Sequence, residues 1–291
     1  MENLPYSKRN LKADKILISF GEYIGGGEKH MKNLKDERIG VIKQNTIGDY
    51  MKVVEYNGSQ DVTVMFLDEH HSIVKTTWRY FNDGTVTNPY GRYLYGKGIV
   101  GILPIRNENG GLSIEYVTWS GMLRRCYNNK GRNRDETYLN CTVSDEWLSF
   151  ENFSEWMKEQ ENYNKWILLS SKALDKDILV KGNKIYGKDK CCLVPSYVNN
   201  LFTKRDKSRG KYCIGVSFHK RDKLFTATCH NPFTNKSEFL GYFTNEEDAF
   251  YAYKTRKETI INMVAEKEYK IGSITEECYN AMIAYQVEIT D

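Results

Sequence analysis

Three short runs near the C-terminus alternate between apolar and polar residues. They cover residues 213–218, 224–229 and 239–243, and turn-forming stretches rich in Asn, Asp and Lys separate them. Period-two alternation broken by short turns is typical of an antiparallel sheet built from hairpins. The pattern therefore predicts a three-stranded sheet at this end of the chain.

The residues that follow these runs predict a helix. Thr244 or Asn245 can cap its start, and the acidic residues 246–248 occupy a first turn where the helix dipole favours negative charge. Apolar side chains such as Ala249 and Tyr253 recur at helical spacing. We expect this helix to cover one face of the sheet and to leave the other face open.

The first third of the chain also alternates like strands. The alternating segments are residues 38–43, 50–56, 61–66 and 72–81. Polar and glycine-containing turns separate them. They predict a small β-barrel-like module, a closed barrel or a curled sheet, over residues 37–103, preceded by a flexible arm over residues 1–36.

The apolar spacing changes to a helical period in the middle of the chain. Trp119, Met122, Leu123, Cys126 and Tyr127 form one stripe at i, i+3, i+4, i+7 and i+8. A second helix is predicted over residues 150–161, and its aromatic stripe is expected to be core.

A strand, a loop and a short helix are predicted next, over residues 174–179, around Gly182 and Asn183, and over residues 196–202. The chain is therefore predicted to be an α+β protein. Its central domain covers residues 104–203, and its C-terminal sheet-and-helix domain covers residues 204–291.

Positive charge is concentrated beside the predicted sheet. The chain has 42 Lys and Arg against 38 Asp and Glu, a net charge of +4 that by itself indicates little about partners. Residues 204–223, however, contain eight Lys or Arg and two Asp. Clustered cations suit contacts with phosphates, although a solvated basic surface would show the same charge. The DNA-contacting candidates are Arg205, Arg209, Lys211, His219, Lys220, Arg221, Lys223 and Lys236, with a second basic group of Arg124, Arg125 and Arg132.

The cysteines and the hydropathy exclude several classes of protein. Seven cysteines is an odd number and no C-x-x-C pair occurs, so neither a disulfide framework nor a zinc knuckle is indicated. A zinc cluster of Cys126, Cys141 and the Cys191/Cys192 pair is the less favoured alternative to free thiols. No apolar run approaches the roughly 20 residues of a membrane span, and no signal-peptide pattern begins the chain. We therefore expect a cytoplasmic protein.

The order of residue types in the C-terminal segment resembles a DNA-binding family. The ordered positions are Gly215, Val216, Ala227, Leu240, Gly241, Phe243, Ala249, Ala252 and Tyr253. This order is similar to that of the APETALA-type (ethylene-response-factor) domain. The resemblance implies a three-stranded sheet that enters the major groove of duplex DNA. Its base-contacting positions are loosely matched by Phe218, Arg221 and Phe225.

A second resemblance covers the middle of the chain. Its segments include TWSGMLRRCYNNKGRNRDETYLNCTVSDEW, LDKDILVKGN and SYVNNLF. They resemble the HNH endonuclease-like proteins of bacteriophages that carry an APETALA-type domain at the C-terminus. The resemblance implies a degenerate ββα-metal (HNH-like) domain. Residues 38–66 also resemble a module that recurs in bacteriophage proteins, where docking to nucleic acid or protein is its expected role.

The implied nuclease site is matched only in part. Cleavage of this type uses a His general base, an Asn and one divalent metal. The catalytic candidates are Asp175, Lys176, Asp177 and Asn183. The candidate ligands for Mg²⁺, a cation that prefers oxygen donors, are Asp175, Asp177 and Asn199. No His occurs between His71 and His219, and a lysine of ordinary pKa is protonated at neutral pH. We therefore expect nicking activity to be weak or lost.

Three functions are compatible with the sequence. The first is a phage-type protein, derived from an HNH mobile endonuclease, that binds duplex DNA in the cytoplasm of an infected bacterial host. The second is a non-enzymatic counter-defence inhibitor that binds a host defence protein complex. The third is an active, metal-dependent homing-type endonuclease. No membrane partner is expected, and assembly into a homo-oligomer is compatible with each function.

Overall fold

The computed structural model describes residues 34–128, 138–203 and 211–291. Within these ranges the chain is a mixed α+β protein with several small sheets, which confirms the predicted fold class at that level. Most of the predicted arm, residues 1–33, lies outside the described residues, as do Arg132, Arg205 and Arg209. Within the described ranges, no helix combines the length and apolar character that crossing a membrane requires.

The N-terminal sheet is open and has four antiparallel strands in chain order. They are β1 (Ile42–Gln44), β2 (Tyr50–Gly58), β3 (Asp61–Phe66) and β4 (Ile73–Thr76), preceded by α1 (Leu34–Arg38) and followed by α2 (Trp78–Asp83). Phe81 of α2 joins the buried face of this sheet beside Val64 and Phe66. Within the described residues, β1 and β4 do not pair. The predicted closure into a barrel is therefore wrong. Four strands are too few, because a barrel with a filled interior typically takes about eight strands.

A helical core with many aromatic side chains occupies the middle of the chain. Its elements are β5 (Arg92–Leu94), β6 (Gly98–Ile99), α3 (Ile114–Tyr127), α4 (Phe150–Glu159) and α5 (Tyr163–Trp166). The hydroxyls of Ser113 and Ser149 cap α3 and α4. The predicted stripes of both helices are buried except for the half-buried Tyr127 at the end of α3, which confirms the helical periods.

Two pairs of short strands follow this helical core. They are β7 (Thr142–Val143), β8 (Lys172–Asp175), β9 (Ile185–Tyr186) and β10 (Cys192–Pro195), and α6 (Ser196–Phe202) follows β10. β8 and β10 are antiparallel, whereas β7 and β9 are parallel. The helix has its predicted bounds, but the strand predicted over residues 174–179 ends at Asp175. The Asp175 carboxylate accepts the backbone N–H groups of Asp177 and Ile178, and this turns the chain.

The C-terminal part contains the predicted sheet and helix. Its elements are β11 (Val216–His219), β12 (Leu224–Asn231), β13 (Lys236–Phe243), α7 (Glu246–Lys270) and α8 (Glu276–Ile283). The strands pair antiparallel in chain order, and α7 packs on one face. Asn245 caps α7 by accepting the N–H of Asp248 at 2.8 Å. The first strand begins later than predicted because Gly215 has a φ of +75°, and a Cβ there would overlap the Tyr253 ring.

Strand β10 separates two hydrophobic cores. Leu193 faces the helical core, whereas Cys192 and Val194 face the core of the C-terminal part. This follows from the alternation of side chains along a strand. The second core also contains Ile260 and Ile261 from α7. The predicted boundary between residues 203 and 204 therefore runs through a shared core.

Candidate nucleic-acid interface

The face of the C-terminal sheet that α7 leaves uncovered carries hydroxyl and aromatic side chains. Ser217 and Thr226 lie opposite each other, with their hydroxyl oxygens 2.7 Å apart. Phe239 and Tyr242 are 57% and 55% exposed, and their ring centroids are 5.1 Å apart. This face therefore offers neutral hydrogen-bonding groups and apolar rings.

A β-bulge brings the two aromatic rings to the same face. In a regular strand, Phe239 and Tyr242 would point to opposite faces because they are three residues apart. The pairing of β12 with β13 shifts between Ala227 and Thr228, which leaves one extra residue in β13. Gly241 beside this shift has a φ of +136°, which favours glycine. Simple alternation could not reveal these two exposed aromatics.

The aromatic positions offered by the resemblance lie on the other side of the sheet. Phe218 and Phe225 pair across β11 and β12, and their ring centroids are 5.0 Å apart. Both rings also contact Tyr212. Phe225 packs against the core that α7 covers. Phe218 and Phe225 therefore lie away from the uncovered face, which exposes Phe239 and Tyr242 instead, and their contact with bases stays a prediction.

Among the described residues, the predicted cations of the strands and turns lie at the two ends of the sheet. The turn between β11 and β12 carries Lys220, Arg221 and Lys223. Lys236 is the first residue of β13 and lies at the opposite end. Lys211 precedes the sheet, with its Nζ 5.0 Å from the ring centroid of Tyr212. The cations thus flank a neutral face.

Asp222 offsets part of the charge in the β11–β12 turn. One of its carboxylate oxygens lies 2.9 Å from Nδ1 of His219, and the other accepts Nε–H of Arg221 at 2.9 Å. Among the described residues, Lys220 and Lys223 make no side-chain hydrogen bond or ion pair. These two lysines are therefore the cations of the turn whose charge no described side chain offsets.

A cleft of about 1010 Å³ lies between α3 on one side and β8 and β9 on the other. Phe202 at the end of α6 and Tyr285 after α8 also line it. Six of its lining residues are Lys or Arg and two are Asp: Arg124, Arg125, Lys172, Lys176, Lys181, Lys184, Asp175 and Asp177. The fold thus brings Arg124 and Arg125 to the same site as the predicted catalytic segment.

Three of these cations were not predicted as site residues. They are Lys172, Lys181 and Lys184. Single lysines separated by several residues give no charge run, so the sequence carries no signal for them. Their common location depends on how the loop between β8 and β9 folds back towards α3.

Asp175 is a buried carboxylate in the wall of the cleft. Its Oδ1 accepts the N–H of Asp177 at 2.8 Å and the N–H of Ile178 at 2.7 Å. Burial raises the pKa of Asp175 to about 6, and the charge of Asp177 adds to the rise. The two N–H donors and the Lys176 ammonium oppose it. This carboxyl therefore titrates close to neutral pH.

Lys176 is buried and forms an internal ion pair. Its Nζ lies 2.6 Å from Oδ2 of Asp177 and donates to the carbonyl oxygen of Asn183 at 2.7 Å. A general base must be neutral before it takes a proton. The Lys176 nitrogen is instead held by a carboxylate oxygen and a backbone carbonyl oxygen. The geometry therefore favours a structural ion pair over a catalytic base.

Asn183 holds the loop that follows β8. Its Nδ2 donates to the carbonyl oxygens of Lys176 at 2.9 Å and Ile185 at 2.7 Å. Its Oδ1 accepts the N–H of Ile185 at 3.0 Å. Both donor hydrogens of the amide are thus used by the backbone. Asn183 positions the loop, and its catalytic role stays a prediction.

The predicted ligands Asp175, Asp177 and Asn199 all line the cleft. They fit a divalent cation poorly, because the Lys176 ammonium lies 2.6 Å from one oxygen of Asp177 and would repel the metal. Over the described ranges, no group of three or more His, Cys, Asp or Glu is arranged to hold a metal ion. The Mg²⁺ site stays a prediction, and the alternative zinc cluster gains no support.

The protein thus has an α+β fold and two separate candidate sites, the uncovered sheet face and the cleft. In each site, cations lie beside neutral or aromatic side chains. No family model, curated protein or solved structure matches the chain. The function is therefore argued from the geometry of these two sites.

Proposed function

We propose that the protein binds duplex DNA through the uncovered face of its C-terminal sheet. The observation that carries the proposal is the arrangement of this sheet. One face packs against α7, and the other exposes Phe239, Tyr242 and hydroxyl groups between two cation-bearing ends. Side chains on such a face can contact base edges, while the flanking cations contact phosphates.

The dimensions of the sheet suit a major groove. Neighbouring strands lie about 4.8 Å apart, which places the outer strands of a three-stranded sheet about 10 Å apart. The major groove of B-DNA is about 12 Å wide. β12 has eight residues, which extend over about 26 Å. Cations at opposite ends of the sheet can therefore reach the phosphates that border the groove.

The salt dependence of binding tests the phosphate contacts. Fluorescence anisotropy with labelled duplex DNA would compare the wild-type protein with a Lys220→Ala/Lys223→Ala variant. Log affinity falls as log salt concentration rises, and each lost phosphate contact makes this slope shallower by about 0.9. The slope of the double variant should therefore be shallower by about 2. The control is Lys158→Ala, an exposed lysine of α4. An unchanged slope in the double variant would remove the turn from the interface.

The aromatic side chains test whether the face reads bases. Phe239→Ala should reduce discrimination between DNA sequences and leave the salt slope unchanged, because the ring is neutral. The matched control is Tyr251→Ala, which removes an exposed aromatic residue of α7. Equal discrimination by the wild-type protein and both variants would contradict contact between this face and bases.

Cleavage of DNA in the cleft is expected to be weak or lost. Among the described residues that line the cleft, none is His, and Lys176 is paired with Asp177. Supercoiled plasmid incubated with Mg²⁺ or Mn²⁺ would reveal nicking. Nicks that disappear in Asp175→Asn would favour the metal-dependent endonuclease instead. If the protein neither retains nor nicks DNA, and a host protein complex co-purifies with it stably, the counter-defence inhibitor is favoured.

A further inference from the structure

The size of the cleft suits one strand of nucleic acid better than a duplex. Its volume is about 1010 Å³. The volume lies at the upper end of the range for ligand pockets, about 300–1,000 Å³. A few nucleotides of a single strand fit this volume, whereas even a short duplex would exceed it.

Two cations of the cleft are available to an anionic ligand. Arg124 in the last turn of α3 and Lys184 just before β9 are exposed. Among the described residues, neither makes a side-chain hydrogen bond or ion pair. Lys176 and Lys181, by contrast, form ion pairs with aspartates. Phosphate contacts are therefore expected at Arg124 and Lys184.

Half-buried aromatic rings line the same cleft. Phe202 and Tyr285 lie with their ring centroids 4.9 Å apart and their planes at 77°. Nζ of Lys181 lies 5.0 Å from the centroid of Tyr285. On the α3 side, the guanidinium of Arg125 lies 5.7 Å from the ring centroid of Tyr138. Aromatic rings beside cations are typical of surfaces on which unpaired bases stack.

We infer that the cleft binds an unpaired strand of nucleic acid. The phosphates contact Arg124 and Lys184, and the bases stack on Phe202 and Tyr285. This inference goes beyond the proposed function, which places a duplex on the C-terminal sheet. It does not depend on that function, because the two sites share none of the residues that carry them.

Titration with short single strands tests the inference on the full chain. The probes are labelled oligothymidylate and oligouridylate of about 12 nucleotides, within the site sizes of single-strand-binding proteins. Both are expected to bind. Arg124→Ala/Lys184→Ala should weaken binding at least about tenfold at low salt and lower the salt slope by about 1.4. The matched control is Lys158→Ala/Lys188→Ala, which removes two exposed lysines outside the cleft lining.

Separate variants distinguish this inference from the proposed function. Lys220→Ala/Lys223→Ala should weaken duplex binding and leave single-strand binding unchanged. Equal single-strand binding by the cleft double variant and its control would overturn the inference. Displacement of the labelled strand by a blunt duplex as effectively as by an unlabelled strand would overturn it as well.

Ultraviolet crosslinking provides a measurement that requires no substitution. Protein irradiated with oligothymidylate would be digested and its nucleotide-bearing peptides identified. Crosslinks are expected on peptides that contain Phe202 or Tyr285. Crosslinks confined to peptides of β11, β12 and β13 would place the strand on the sheet and overturn the inference.

Discussion

Replacing Asp175 with asparagine is expected to make the protein more stable at neutral pH. Oδ1 of Asp175 accepts two backbone N–H groups, and the side-chain oxygen of asparagine can accept the same two. The fold disfavours the negative charge, because burial raises the pKa of this carboxyl to about 6. The substitution removes the charge while it keeps the shape of the side chain and the turn after β8.

The magnitude follows from the difference between the two pKa values. The pKa of Asp175 is 3.8 in the unfolded chain and about 6 in the folded protein. This difference corresponds to a free energy on the order of 3 kcal/mol. Well below about pH 4 both states hold the proton, and the charge has no effect on stability. Between about pH 4 and pH 6 the folded state keeps a proton that the unfolded chain loses, so the free energy of unfolding falls as pH rises. Above about pH 6 the full cost is present.

Urea unfolding followed by tryptophan fluorescence would measure this effect. The wild-type protein and Asp175→Asn would be compared at about pH 4.5 and pH 7.5, with EDTA present to keep divalent cations from masking the charge. The variant should exceed the wild-type protein by up to about 3 kcal/mol at the higher pH and by less than half of that at the lower. The control is Asp189→Asn, an exposed carboxylate for which no difference is expected. A variant less stable than the wild-type protein at neutral pH would show that the site stabilises the charge.

Three further substitutions test contacts in the cleft and in the C-terminal part. Asp177→Asn leaves the buried Lys176 ammonium without its carboxylate and should lower the free energy of urea unfolding by about 1–3 kcal/mol, whereas Asp177→Glu should restore part of it. Gly215→Ala places a Cβ at a φ of +75° against the Tyr253 ring and should cost at least about 2 kcal/mol, so a Tm equal to that of the wild-type protein would contradict the close approach. Asn245→Ala removes the cap of α7 and should cost about 1 kcal/mol in thermal unfolding, and Asn245→Asp should retain the cap.

Local features of this fold can be predicted from the sequence because they depend on neighbouring residues. Asn245 caps α7 through an N–H three residues away, and Trp119 belongs to a stripe that repeats within α3. The open edge of the N-terminal sheet could not be predicted in this way. Alternation indicates which side chains a strand buries, but it does not reveal whether the first and last strands pair.

The candidate site was predictable only in pieces. The charge run indicated Lys220 and Lys223, since they are close in sequence. The exposed pair of Phe239 and Tyr242 depends on a bulge, and one extra residue reverses the faces that alternation assigns. The cleft joins Arg124 of α3 to a distant loop, and no period or spacing in the sequence relates the two.

The distribution of charge in the cleft limits where a nucleic-acid strand can bind. Asp175 and Asp177 lie beside Lys176, whose single positive charge cannot neutralise both carboxylates once Asp175 is ionised. A phosphate near them would be repelled, and the repulsion is stronger where protein replaces water. Arg124 and Lys184 are exposed and attract phosphates instead. The backbone of a bound strand would therefore follow these exposed cations, and its uncharged bases would enter the cleft. Asp175, whose charge lowers the stability of the fold, would thus help to orient the strand.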